Sequence, residues 1–191
     1  MKKSSDIKEK IIEVTTELIR QSNGDINDIT IRTIAEKANV GIGLINYHFQ
    51  SKENLITLCV QRIIGNVVMK FSPLERHYQN DRERLTDWAI QVFDFLFENK
   101  AISRISILSD LSGYSIDSNS VKTQRGFMLA MHSMNDVDKN MLSFVLTSVM
   151  QTAFLSANVG VGLLGYDFDD RSSRNVFITR LMSVIFDGIR K

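Results

Sequence analysis

The sequence predicts an all-α protein with about nine helices, and three observations indicate this fold class. Apolar side chains recur every three or four residues along most of the chain, and no alternating strand pattern interrupts them. A single proline among 191 residues permits long uninterrupted helices. The charged and hydrophobic fractions of 24% and 43% are those of an ordinary globular protein. This length accommodates two modest domains, which we assign to residues 1–50 and 51–191.

The first predicted helix is amphipathic and packs on other helices through one face. Its apolar stripe consists of Ile7, Ile11, Val14 and Leu18, flanked by Ile12 and Ile19, while glutamates line another face. A turn signal of asparagine, glycine and aspartate at residues 23–25 ends this helix.

Two short helices are predicted to follow this turn. Thr30 is a good N-cap for the earlier one, which ends before Asn39. Asn39 tolerates the left-handed backbone that a tight turn between helices requires. Two short helices joined in this way form a helix-turn-helix, whose geometry allows one helix to lie in the DNA major groove. Val40, Ile45 and Phe49 are predicted to pack inward, which leaves the opposite face of the later helix free.

A fourth helix is predicted to begin after Ser51, which can cap its first turn, and Glu53 favours the positive end of its dipole. We expect this helix to run to about Phe71, with Pro73 closing the segment. A fifth helix follows over residues 81–100, with an apolar face wide enough for contacts on two sides.

The remaining helices are predicted at residues 102–111, 121–134, 138–164 and 171–190. A serine-rich loop at residues 112–120 separates the first two of these segments.

The compartment is predicted from the chain ends, the cysteine and the apolar segments. The uncharged stretch of residues 140–166 indicates a buried helix and not a membrane span, because hydroxyl and amide side chains interrupt it. The amino terminus lacks the features of a signal peptide, and the single cysteine excludes a disulfide within the chain. We therefore expect a cytoplasmic protein. Cys59 is interpreted as a small buried hydrophobic residue in preference to a redox sensor.

The segments TIRTIAEKANV, GIGLINYHF and QSKENL, which together cover residues 30–55, resemble the DNA-binding segment of TetR-family transcriptional regulators. The resemblance implies a three-helix helix-turn-helix DNA-binding domain at residues 1–50, followed by a helical ligand-sensing and dimerisation domain. It departs at Asn46, where the family commonly has tyrosine, and at Leu44, where a small hydroxyl residue is usual.

Nine residues are predicted to meet DNA. Asn46 either reads an adenine from the major groove or caps a backbone group, and Tyr47 either reaches a phosphate or packs at the domain edge. Lys52 resembles the family lysine that meets the DNA backbone. Ile42 is either a groove contact or only a partly exposed hydrophobic residue. The predicted set is Thr30, Arg32, Gly41, Ile42, Gly43, Asn46, Tyr47, His48 and Lys52.

The amino-terminal lysines and the net charge add little to this prediction. Lys2, Lys3, Lys8 and Lys10 could form a DNA-binding arm, but we favour an ordinary solvated run. The formal net charge of +1 requires that DNA binding come from a local arrangement of charge.

A ligand cavity is implied mainly by the resemblance, and aromatic, methionine and a few polar side chains are its candidate lining. Such a lining indicates a largely apolar small molecule. Plain core packing is the alternative for most of these residues. The candidates are Trp88, Phe93, Tyr114, Phe127, Met131, His132, Gln151, Phe154 and Asn158.

Other chemistry is not indicated. The glycine pattern at residues 160–165 follows a helical stretch and not a strand, so it is not a dinucleotide-binding motif. We expect Gly160 and Gly162 to allow two helices to approach closely. The three histidines have no partners at metal-ligand spacing, and we expect no metal, no cofactor and no catalytic group.

The expected function is that of a transcriptional regulator, in particular a repressor that binds a near-palindromic double-stranded operator as a homodimer and is released by a small molecule. The resemblance implies a dimer interface built from the last two helices. One alternative is a helical small-molecule-binding or enzymatic domain with a vestigial DNA-binding head. A second is an architectural DNA-binding protein that needs no ligand.

Overall fold

A computed structural model describes residues 2–68 and 77–189. Within these ranges the chain forms ten α-helices and two short 3-10 helices, with no strand. The all-α prediction is therefore confirmed, and Phe71 and Pro73 lie outside the described residues. The α-helices are α1 (Lys2–Gln21), α2 (Ile31–Ala38), α3 (Ile42–Phe49), α4 (Lys52–Val68), α5 (Asp81–Glu98), α6 (Lys100–Ser112), α7 (Asn119–Leu129), α8 (Asp136–Leu155), α9 (Gly160–Leu164) and α10 (Arg171–Ile189), and the 3-10 helices are Ile26–Asp28 and Ala157–Val159.

The chain packs as two compact units. One unit consists of the described part of residues 1–70 together with residues 99–112, and the other consists of the described part of residues 71–98 and 113–191. The first unit thus groups α4 and α6 with the amino-terminal helices. The division of function between residues 1–50 and 51–191 stays a prediction.

The core of the first unit forms where α1 packs on α2, α4 and α6. Ile11, Ile12 and Ile19 of α1 are buried, whereas Val14 and Leu18 are only half-buried. The predicted stripe therefore lies slightly to one side of the buried face. Because α1 contacts three helices, its buried face is centred on residues at multiples of four, such as Ile11 and Ile19, and the half-buried Val14 and Leu18 lie beside it.

The core of the second unit is an aromatic cluster between α5, α10 and the segment before α10. The ring of Phe93 lies 5.1 Å from that of Phe97 and 5.6 Å from those of Phe168 and Phe177, measured between centroids. Two of these contacts are edge-on, which is a favoured geometry for aromatic pairs. This cluster accounts for the wide apolar face predicted for α5, because Phe93 and Phe97 both belong to it.

A buried carboxylate joins α5 to α10 beside the aromatic rings. Asp94 accepts a hydrogen bond from Nε of Arg174 at 2.9 Å and another from Nε of Arg171 at 2.8 Å. Arg174 is itself buried, and its Nη1 donates to the carbonyl of Phe168 at 2.9 Å. Loss of one partner from such a buried pair costs about 3–5 kcal/mol, because the other charge is left uncompensated.

The predicted helix over residues 138–164 is wrong, because the chain bends by 70° between α8 and the segment Ala157–Leu164. The Ser156 hydroxyl and amide both donate to the carbonyl of Thr152, which closes α8 there.

No single described helix is long and apolar enough to cross a membrane. Among the described residues, only the bent pair of α8 and Ala157–Leu164 has the length and composition of a membrane span.

The predicted helix over residues 121–134 is also too long, because α7 ends at Leu129. Beyond that point Ser133 binds Asp81, the first residue of α5. Its amide and hydroxyl donate to Oδ2 of Asp81 at 2.7 and 2.6 Å. Burial alone would raise the pKa of Asp81, but these bonds and one from Arg84 outweigh it and lower the pKa to about 2.

Gly160 is required by the aromatic core of the second unit. A Cβ at this position would lie 2.8 Å from Cδ2 of Phe168, whereas a Cβ at Gly162 would meet nothing within 4 Å. The close approach predicted for Gly160 is therefore made to a buried ring.

We expect Gly160→Ala to lower the free energy of unfolding by about 1–3 kcal/mol, because the buried Phe168 ring must shift. Gly162→Ala is the matched control, and it should leave stability unchanged or raise it, since alanine is the better helix former. Urea unfolding at matched protein concentration compares the two. Equal stability of both variants would contradict the assigned role of Gly160.

Candidate nucleic-acid interface

A tight left-handed turn joins α2 to α3. Asn39 has φ 52° and ψ 52°, which confirms its predicted left-handed conformation. Its amide donates to the carbonyl of Glu36 at 3.1 Å, and the Val40 amide donates to the carbonyl of Ala35 at 3.0 Å. This pair of bonds is a Schellman motif, which satisfies the last carbonyls of α2 and turns the chain into α3.

Side-chain caps begin α2 and α4 as predicted. The hydroxyl of Thr30 accepts a hydrogen bond from the Thr33 amide at 3.1 Å. The hydroxyl of Ser51 accepts one from the Asn54 amide, also at 3.1 Å. Each cap satisfies an amide that has no partner within its helix and so fixes where the helix starts.

Helix α3 is anchored by one face and exposes the other. Ile45 and Phe49 are buried in the core of the first unit, as predicted. Asn46 is exposed, and Tyr47 is exposed over 79% of its surface. His48 is half-buried, with its ring 5.1 Å from that of Tyr47. The helix therefore presents a polar and aromatic edge on a rigid base.

Three of the predicted DNA-contacting residues lie together on one cleft between α2 and α3. Arg32, Gly41 and Ile42 line this cleft, whose volume is about 430 Å³. The Arg32 side chain is 82% exposed, and Glu36 is a distant partner at 3.9 Å. Arg32 is therefore available to a phosphate, because an exposed ion pair of this kind contributes little.

Lys52 makes a contact within the protein that the prediction did not include. Its ammonium donates to the carbonyl of Ile26 at 2.9 Å, so it ties the start of α4 to the 3-10 helix before α2. An ammonium has three donors, and two remain for a phosphate. Lys52 thus has a structural contact that sequence reasoning did not anticipate, and its contact with DNA stays a prediction.

A strained residue joins α3 to α4. Gln50 has φ 69° and ψ −45°, and the Ser51 amide donates to the carbonyl of Phe49 at 2.8 Å. This bond closes a three-residue γ-turn with positive φ, a rare conformation that a side chain with a Cβ adopts at a cost. The turn lets α4 begin almost directly after α3. No sequence signal marked it, because glutamine has no preference for this conformation.

The amino-terminal lysines do not form an extended arm within the described residues. Helix α1 begins at Lys2, and Lys8 and Lys10 lie inside it. The ammonium of Lys8 lies 5.9 Å from the centroid of the Phe49 ring.

The predicted ligand-binding residues are spread over core and surface of the second unit. Phe93, Phe127, Met131 and Phe154 are buried. Trp88 and Gln151 are half-buried, and the amide of Gln151 donates to the hydroxyl of Ser120 at 2.6 Å. Tyr114, His132 and Asn158 are exposed. Their assignment to one pocket stays a prediction.

The described residues give little support for a metal site or a reactive thiol. Among the described residues, no group of three or more His, Cys, Asp or Glu side chains could hold a metal ion. Cys59 is fully buried, and burial raises the pKa of its thiol to about 11. The interpretation of Cys59 as a small core residue is confirmed.

The capped helices, the Schellman turn and the exposed edge of α3 define a helix-turn-helix protein of the DNA-binding class. Residues 11–58 match the family model of the bacterial regulatory proteins of the tetR family. The predicted resemblance to the TetR family is therefore confirmed for this amino-terminal segment.

Several known proteins are similar to this chain in sequence or in fold. An HTH-type transcriptional regulator of Staphylococcus aureus is 22% identical over 95 residues, which span half of this chain and half of that protein. A TetR transcriptional regulator from Rhodococcus sp. RHA1 has a similar fold, with a TM-score of 0.64 and 16% identity over 99% of each chain. A TetR-like regulator from the same organism gives a TM-score of 0.62 and 13% identity over 96% of each chain. The two structures establish the similarity of fold over nearly the whole chain.

We expect Gln50→Gly to be about 1 kcal/mol more stable than Gln50→Ala, because glycine adopts the positive φ without strain. Gln50→Ala keeps the Cβ and serves as the matched control, with stability close to that of the natural protein. Urea unfolding followed by circular dichroism measures both variants. If the glycine variant were the less stable of the two, the γ-turn would not be a site of strain.

Proposed function

We propose that this protein is a transcriptional repressor that binds a near-palindromic operator as a homodimer and is released by a small, largely apolar ligand. The observation that carries the proposal is the anchored helix α3, whose buried Ile45 and Phe49 hold Asn46 and Tyr47 outward. A rigid helix with this exposure is what major-groove reading requires.

The proposed DNA contacts divide into positioning and reading. Thr30, Arg32, Tyr47 and Lys52 would bind phosphates and set the register of the protein on the duplex. Asn46 would read an adenine through its amide, whose donor and acceptor match the N7 and N6 of that base. The first turn of α3 would approach the groove closely, because Gly41 and Gly43 leave open space there.

The dimer is proposed to form through the last long helices, α8 and α10. Helix α8 exposes Val137, Met141 and Phe144, which are spaced by four and three residues and so lie on one face. Helix α10 exposes Val176 and Val184. Exposed aliphatic and aromatic side chains at helical spacing are typical of a subunit interface.

Release from DNA is proposed to depend on the distance between the two DNA-binding domains of the dimer, residues 1–50 of each protomer, which we call the heads. A ligand bound within residues 51–191 would favour a state in which α4 holds the heads at a spacing that does not match the half-sites. Coupling of this kind needs only a difference in ligand affinity between the two states. We place the protein in the cytoplasm, where operator DNA is accessible, and propose no catalytic activity.

The competing function is a small-molecule-binding or enzymatic helical domain with a vestigial head. The formal net charge of +1 is the observation that favours it, since strong DNA binding is usually supported by positive charge. Such a protein would bind operator DNA and shuffled DNA equally weakly, and an enzyme would turn over a substrate.

We expect the full chain to prefer the intergenic DNA beside its own gene over shuffled DNA, with the preference lost in the double variant Asn46→Ala, Tyr47→Ala. Arg32→Ala should weaken binding to all sequences and reduce the slope of log affinity against log salt by about 2, one phosphate for each protomer. Fluorescence anisotropy over a salt series from about 50 to 200 mM measures both effects.

Arg125→Ala is the matched control for Arg32→Ala, because Arg125 is an exposed arginine of α7 in the other unit. It should leave the slope unchanged. Equal affinity for native and shuffled DNA at every salt concentration would count against a specific operator beside the gene and in favour of the competing function.

We expect Phe144→Lys and Val176→Lys to shift the protein from dimer to monomer, because each places a charge in the proposed apolar interface. Leu129→Lys is the control, since Leu129 is an exposed leucine of α7. Sedimentation equilibrium gives the mass of each variant. A dimer that survives both interface changes would exclude these faces.

A further inference from the structure

The first turn of α3 carries two aliphatic side chains that are partly exposed. Ile42 is 42% exposed and Leu44 is 39% exposed, whereas Ile45, one residue further on, is fully buried. The core of the first unit is thus already filled by the inward face of α3. Because these two branched aliphatic side chains lie on the helix proposed to enter the groove, their exposed parts are available for apolar contact with the bases.

The polar composition of α3 restricts which bases it can read. Its eight residues, Ile42–Phe49, include no lysine, arginine, aspartate or glutamate. Arginine or lysine is the usual partner of guanine, and an acidic residue is a usual partner of cytosine. Helix α3 therefore lacks the side chains that most often select G·C pairs. An aliphatic side chain does have a specific partner in the major groove, the C5 methyl group of thymine.

The backbone around Ile42 allows such contacts. Gly41 and Gly43 flank it, and a Cβ at either position would meet nothing within 4 Å. Because glycine has no side chain, Gly41 and Gly43 do not hold the first turn of α3 away from the floor of the groove. Ile42 and Leu44 are two residues apart and so lie about 200° apart around the helix axis, which means that the two side chains cannot both meet the same base pair.

We propose that Ile42 and Leu44 read thymine methyl groups, so that each operator half-site has T·A pairs at the two positions that these side chains meet. Asn46 then reads an adenine in the same A·T-rich segment. The inference rests on the proposed function, because it names the bases that the proposed operator presents to α3.

The size of the effect follows from the hydrophobic contribution of one methyl group. Burial of one such group is worth about fourfold in affinity. A dimer makes each contact twice on a palindromic site, so removal of both symmetric methyl groups should weaken binding by about 15-fold.

The test begins with selection of bound sequences from a random duplex library by the full chain. Each thymine of the selected half-site is then replaced symmetrically by deoxyuridine, which keeps the base pair and removes only the methyl group. We expect two thymine positions where this change weakens binding of the natural protein by about 15-fold. In Leu44→Ala the penalty should vanish at one of them, and in Ile42→Ala at the other.

Leu129→Ala is the matched control, because it shortens an exposed leucine of α7 and should keep both penalties in full. Circular dichroism of each variant establishes that it is folded, which is expected because the changed side chains are partly exposed.

The outcomes separate this inference from the function on which it rests. A defined selected sequence with no deoxyuridine penalty, or with penalties unchanged in both α3 variants, overturns thymine reading and leaves the repressor proposal standing. A selected half-site with G·C pairs throughout does the same. Failure to enrich any sequence overturns both proposals.

Discussion

The hydrogen bond from the Val40 amide to the carbonyl of Ala35 fixes the direction in which the chain leaves α2. It forms because Asn39 accepts a left-handed backbone, which brings Val40 back over the end of the helix. With that direction set, Ile45 and Phe49 meet the core of the first unit, and the opposite edge of α3 faces outward. The exposure of Asn46 and Tyr47 is thus a consequence of one backbone turn.

The second unit depends on an aromatic cluster and on the buried ion pair between Asp94 and Arg174 beside it. The tilted and edge-on rings around Phe93 exclude water, which strengthens the attraction between Asp94 and Arg174. Arg174 also holds the carbonyl of Phe168, so the ion pair and the rings position each other. Gly160 belongs to this arrangement, because only a residue without a side chain leaves room for the Phe168 ring.

Local signals in the sequence predicted most helix boundaries and the whole helix-turn-helix. The caps at Thr30 and Ser51 and the turn at Asn39 each act within about four residues, so the sequence alone reveals them. The exposed edge of α3 could be predicted for the same reason, since helical spacing decides which residues point inward.

Features that depend on distant partners could not be predicted. The bond of Lys52 to Ile26 spans 26 residues, and those of Arg171 and Arg174 to Asp94 span 77 and 80. The early end of α7 likewise reflects a distant partner, Asp81, whereas α8 ends at the local bonds of Ser156 to Thr152. The helical spacing of apolar residues continues past both points, and it carries no information on what a neighbouring segment will bind. The sequence therefore predicted both helices too long.

The buried thiol of Cys59 makes the protein well suited to site-directed labelling. Thiol reagents attack the thiolate, and a group with a pKa of about 11 and no solvent exposure is almost entirely protonated and shielded at neutral pH. A second cysteine introduced on the surface of the head would therefore carry a spin label or fluorophore alone. In an assembled dimer, the distance between two such labels would report directly how far apart the heads stand, with and without an effector.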